Sequence, residues 1–142
     1  MAKKKVKKTN RIKLACTLVQ LYARLRDTDN NGNGRCCSCG KQLTWGEGQG
    51  GHWHPKTRGY NAACLIRENV NMQCSTCNLY RQGDIANYTQ HMISMWGPDV
   101  IEGIRAVSHQ TLDKDKVEEQ IVVLRGMCKL LAQKKNFTVK VP

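Results

Sequence analysis

The sequence predicts an α+β fold in which helices flank a small core stapled by cysteines. Three observations carry that expectation. Two Cys-x-x-Cys pairs, Cys36–Cys39 and Cys74–Cys77, are separated by 34 residues. Apolar residues recur at three- and four-residue steps on both sides of them, the period of amphipathic helices. The stretch between the pairs is rich in glycine, histidine and asparagine and reads as a hairpin. At 142 residues the chain suits one compact domain, and with only 6% aromatic residues its core is modest enough to need a staple.

Residues 1–13 form a basic, flexible tail carrying Lys3, Lys4, Lys5, Lys7, Lys8, Arg11 and Lys13 without one acid. From Asn10 to about Arg26, Ile12, Ala15, Leu18, Val19, Tyr22 and Leu25 mark an amphipathic helix, and the Asp/Asn/Gly run from Asp27 to Gly34 ends it as a linker. That run lacks the glutamate a calcium loop needs at its twelfth position. The stapled core spans 35–97, with a hairpin around Gly51–Gly59 and glycines 46, 48, 50 and 51 on its turn side. On a strand, His52 and His54 would share a face. Asp84 is a candidate N-cap for a helix with Ile85, Tyr88, Met92 and Met95 on one face, stopped by Gly97-Pro98. A helical extension, 98–142, follows: a short helix around Val100–Val107, then a long one opened by Asp113 and Asp115 and closed by Lys134 and Lys135. Its Val117, Ile121, Leu124, Cys128 and Leu131 form a seam for packing on the first helix or for a homodimer. Phe137–Val141 alternates as a short strand would.

Lys and Arg outnumber Asp and Glu 23 to 11, so the balance of +12 points to a polyanion, most simply nucleic acid. A membrane helix and a secretory signal are both absent from the sequence pattern, so the expected compartment is a reducing cytoplasm. There, clustered cysteines bind metal more often than they pair. Two knuckles supply four thiolates, Cys36, Cys39, Cys74 and Cys77, to one tetrahedral zinc with no open coordination position, a structural ion. Cys37 competes with Cys36, but Cys-x-Cys is the poorer bite.

The order His52, then Asn69 five residues before Cys74, then Cys74-Ser-Thr-Cys77-Asn78 resembles the His-Asn-His endonucleases of ββα-metal fold. Their zinc-stapled members, those of the endonuclease VII type among them, hold a treble-clef-like hairpin and helix between two knuckles. Closer is the resemblance to the phage NinG (Rap) recombination family. It rests on Cys36-x-x-Cys39-Gly40, on Gly51-His52-Trp53 with Arg58-Gly59 nearby, on Gln73-Cys74-x-x-Cys77-Asn78, and on Gly83-Asp84-Ile-Ala-Asn-Tyr88. It covers roughly 35–97 and leaves the flanking helices outside.

The resemblance implies a metal-dependent DNA endonuclease of phage recombination or replication, acting on branched DNA such as a Holliday junction in the host cytoplasm. It implies His52 as general base, Asn78 as ligand to a catalytic Mg²⁺ or Mn²⁺, and Asn69 as the asparagine that ties the loop. His54 joins them as a second metal ligand or an alternative base. Lys56, Arg58, Arg81 and the tail lysines are the expected DNA contacts. Many members of the wider group carry an aspartate before the histidine, as a second metal ligand, where this chain has Gly51. Glu47, Glu68 or Asp84 could then complete the shell. The alternative reading is a zinc-containing DNA-binding module without catalysis, and a more distant one is an RNA-binding zinc protein.

Overall fold

The computed structural model describes residues 8–56 and 60–142. Helix α1 spans Lys8–Asp27. Strands β1 (Asn33–Arg35) and β2 (Gln42–Thr44) form one antiparallel hairpin. Strand β3 (Gln49–His52) pairs antiparallel with β4 (Val70–Gln73), in the register Gln49↔Gln73, Gly51↔Asn71, His52↔Val70. Two 3₁₀ turns, Ala62–Leu65 and Arg67–Asn69, lead into β4, and a π-helical turn, Thr76–Tyr80, leaves it. Helices α2 (Ile85–Trp96), α3 (Asp99–Val107) and α4 (Lys114–Lys134) complete the chain. Among the described residues no helix is long and apolar enough to cross a membrane.

The apolar stripe of α1 meets that of α4. Ile12, Ala15, Leu18 and Val19 pack with Val117, Ile121 and Leu124, and Cys64, Leu65 and Val70 close the same core. Each fully buried leucine or isoleucine here contributes about 1.5–3 kcal/mol relative to exposure. The α4 seam is therefore taken up within the chain, while Val122 and Leu130 on its outer face stay exposed. A second core joins Trp53 and Ala63 to Tyr88, Met92, Ile101 and Ile104 of α2 and α3. The third, around Leu43 and Met72, contains Cys36, Cys74 and Cys77.

Several elements differ from expectation, each for a local reason. Helix α1 already runs at Lys8, and Arg11 is held by Glu118 of α4 at 2.7 Å, so the helix takes over the end of the predicted tail. Lys3, Lys4 and Lys5 lie outside the described residues, as does Arg58. The stretch predicted as a linker is ordered: Asp29 Oδ1 accepts from the backbone of Asn31 and Asn33, and Lys135 Nζ donates to the carbonyls of Leu25, Arg26 and Thr28.

Residues 57–59 of the hairpin predicted around 51–59 lie outside the described residues, and 51–56 form no local strand pair. Strand β3 instead finds its partner beyond the 3₁₀ turns, because β4 is fastened from the other side by α1. Arg26 donates to Val70 O and Asn71 Oδ1, and Asp27 accepts from Met72 N. Asp84 occupies the N-cap position of α2 as expected, but with a left-handed backbone (φ 47°) its carboxylate makes no capping bond and accepts from Asn87 instead. Asp113 does cap α4, accepting from Asp115 N and Lys116 N. Phe137–Val141 is not a strand. Phe137 lies 5.3 Å from the Trp45 ring, and Val141 packs on the core, so side-chain burial fixes this segment without a ladder.

A candidate metal-dependent site beside a cysteine cluster

The four predicted cysteines converge. The sulfurs of Cys36, Cys39, Cys74 and Cys77 all lie within 4.8 Å of one another, and the Cys39–Cys74 separation is 3.8 Å. A tetrahedron with Zn–S bonds of about 2.3 Å has edges of roughly 3.8 Å, so this donor set fits zinc. Local backbone geometry builds it. Gly40 takes φ 74° while its N–H donates to Cys36 O, closing the first knuckle. In the second, Cys77 N donates to Cys74 Sγ at 3.4 Å and Asn78 N to Cys74 O at 3.0 Å. Cys37 stays out of the cluster and packs against the Trp53–Tyr88 core, where burial raises its thiol pKa.

Next to this cluster opens a cleft of about 870 Å³ whose lining includes His52, His54, Lys56, Asn78 and Arg105. His52, at the end of β3, has Nε2 3.0 Å from Cys64 O. A carbonyl only accepts, so Nε2 carries the proton and Nδ1 keeps its lone pair. Burial, aided by the charge of Lys56, pulls the His52 pKa down to about 4 against the pull of the Cys64 carbonyl. Folding thus opposes protonation, and the contribution of His52 to stability, present above about pH 6.5, is lost as pH falls through 4. In NMR the His52 ring should titrate with a midpoint near 4; a midpoint above 6 would contradict this burial.

His54 lies just beyond the strand, so the shared strand face predicted for the two histidines is replaced by a shared cleft. The side chain of Asn69, wholly buried, holds this turn: Oδ1 accepts from His54 N at 2.7 Å, and Nδ2 donates to His54 O and Ala63 O. His54 Nδ1 is buried without a hydrogen-bond partner. Asn78 donates through Nδ2 to Gln49, which leaves Oδ1 facing Gly51. An unpaired ring nitrogen and an amide oxygen are ligand types that a divalent ion accepts.

Gly51 sits where space has run out. A Cβ there would stand 1.8 Å from Gln73 Oε1, 2.7 Å from Gln73 Cδ and 3.0 Å from Asn78 Oδ1. Its carbonyl is fixed as well, accepting from the buried Tyr88 hydroxyl at 2.7 Å. Gly51→Ala should therefore destabilise the protein by about 1–3 kcal/mol through overpacking. Urea unfolding reads this, and a change below about 0.5 kcal/mol would show that Gln73 yields freely. Gly51→Asp should disrupt the strand pair for the same reason.

Among the residues expected by position, Arg81 is exposed and does not line the cleft. Glu47 is engaged by Thr44 through its backbone N–H and hydroxyl, and neither it, Glu68 nor Asp84 lines the cleft. Arg105 was not foreseen. It reaches the cleft from α3 with its guanidinium 5.5 Å from the Trp53 ring centroid, and no sequence spacing links 105 to 52. Gln73 was read only as part of a motif, yet its side chain is wholly buried and its Oε1 has no hydrogen-bond partner.

A family model described as Bacteriophage Lambda NinG protein matches residues 1–135. The match extends well beyond 35–97 and takes in both flanking helices, consistent with α1 and α4 forming one core with the strands. No curated protein and no solved structure matches the chain.

Proposed function

The chain belongs to the bacteriophage lambda NinG family, and from that premise we propose that it is a metal-dependent DNA endonuclease with a structural zinc, acting on branched or otherwise structured DNA. The observation that carries this reading is the convergence of His52, His54, Asn78, Lys56 and Arg105 on one cleft beside the cysteine cluster.

In this reading Lys56 and Arg105 hold the phosphodiester oxygens. His52 Nδ1 accepts a proton from water as the water oxygen attacks phosphorus. The P–O3′ bond breaks, leaving a 5′-phosphate and a 3′ oxyanion that takes a proton from solvent water to become the 3′-hydroxyl. The Cys64 carbonyl, already bonded to Nε2–H, steadies the imidazolium that forms. Burial is the main cause of the low His52 pKa, but phosphate charge entering beside Lys56 offsets the share that Lys56 contributes, so the base strengthens when substrate arrives. Asn78 and His54 would hold the Mg²⁺ or Mn²⁺, which supplies stabilisation of charge on the phosphate and the leaving oxygen. Asn69 acts as a positioning residue through the backbone of His54.

One observation favours a second reading, a zinc-containing DNA-binding module without catalysis: no carboxylate lines the cleft among the described residues. Incubating zinc-loaded protein with duplex, flap and four-way-junction DNA, with and without Mg²⁺ or Mn²⁺, separates the two. Cleavage of none of them with either ion would select the binding module.

A further inference from the structure

Gln73 is committed on one side only. Its Nε2 donates to Ser38 Oγ and to Gly83 O, both at 2.8 Å, and Ser38 Oγ itself donates to Gly83 O. These bonds fix the orientation of the amide, so Oε1 cannot exchange places with Nε2. That oxygen is buried, has no hydrogen-bond partner, and points across Gly51 toward Asn78. A buried acceptor left unmatched costs about 1–3 kcal/mol. Its polar neighbour across the gap is a second acceptor, Asn78 Oδ1, and both oxygens lie within 3.0 Å of the point where a side chain on residue 51 would begin. Two acceptors bordering one point, one of them buried without a donor, favour an electropositive occupant.

We infer that Gln73 Oε1 and Asn78 Oδ1 form an oxygen-donor pair for a divalent cation, with Gln73 reaching from β4 into the space that Gly51 leaves open on β3. The inference rests on the nuclease reading and supplies its metal site with a ligand. Magnesium and manganese take such hard oxygen donors readily. Both donors are neutral, and Lys56 and Arg105 line the adjoining cleft, so the pair holds the ion weakly until a phosphate adds negative charge. Glycine at 51 then has a purpose in the site: any side chain there would push Oε1 aside.

The test uses the full-length, zinc-loaded protein with Mn²⁺ alone as the probe. In ¹H–¹⁵N spectra, substoichiometric Mn²⁺ should broaden the side-chain amide signals of Gln73 and Asn78 before those of surface amides, and Mg²⁺ should shift the same signals. Gln73→Met, similar in size without the oxygen, should weaken Mn²⁺ binding by about 10–100-fold in calorimetry. Ser38→Ala removes one Nε2 partner but keeps the Gly83 bond and Oε1 itself, so its loss of Mn²⁺ affinity should be clearly smaller than that of Gln73→Met. Unaffected Gln73 signals, parental affinity in Gln73→Met, or an equal loss in Ser38→Ala would each overturn the inference. Should Gln73→Met fail to retain zinc, the spectra of the parent decide. DNA cleavage by the parent without any Mn²⁺ effect at Gln73 keeps the nuclease and discards this ligand. Mn²⁺ held at Gln73 by a protein that cuts no DNA keeps the site and discards the nuclease.

Discussion

Cys36→Ser or Cys77→Ser should abolish zinc binding and unfold the core. The folded protein should carry about one tightly held zinc per chain, and each variant should carry none. The size of the effect follows from what else holds this part of the molecule. Among the described residues, the third core contains only Leu43 and Met72 apart from its three cysteines. Structural zinc contributes on the order of 10–16 kcal/mol at neutral pH, against a total stability for an ordinary domain of about 5–15 kcal/mol. Losing the ion should therefore unfasten the β1–β2 hairpin from the turn after β4 and release Asn78, whose backbone is bonded to Cys74 O. Metal analysis with far-ultraviolet circular dichroism reads both effects. Cys37→Ser is the internal control: its thiol packs on the Trp53–Tyr88 core, so zinc content should be unchanged. A folded Cys77→Ser protein, or a folded parent without zinc, would refute a structural ion.

His52→Ala should lower DNA cleavage by about 10²–10⁴-fold while zinc content and DNA binding persist. The side chain is tied to the fold by one bond from Nε2 to Cys64 O, so its removal should spare the core and strike the chemistry. Asn78→Ala should behave differently. It leaves the base in place and removes a metal ligand, so part of its lost activity should return at high Mn²⁺. The pH profile adds a separate readout. With the His52 pKa pulled down to about 4 by burial, the free enzyme keeps its base unprotonated across pH 5–8, and kcat/KM should not fall through that range from this group. A His52→Ala protein that cuts as well as its parent would remove His52 from the mechanism.

Spacing alone was enough for the cysteines and the helices. A Cys-x-x-Cys pair defines its own turn, and two such pairs in one small chain have few ways to satisfy four thiolates, so Cys36, Cys39, Cys74 and Cys77 were legible as a set. Periodicity, together with cap and charge signals at their ends, likewise located α1, α2 and α4 to within a few residues, because an apolar face repeats along the sequence. The tertiary structure decided what no local pattern encodes. Strand β3 pairs with β4 across the long loop, since Arg26 and Asp27 fix β4 against α1. The α4 seam, ambiguous between an intramolecular core and a dimer, is filled by α1 because Arg11–Glu118 and the facing apolar stripes bring the two helices together. The fall in the His52 pKa comes from burial and from Lys56, which are properties of position in space. Gln73 is the clearest case. Glutamine before a cysteine reads as an ordinary polar residue, and only the antiparallel register that sets Gln49 against Gln73 and Gly51 against Asn71 points its unmatched oxygen into the gap beside Asn78.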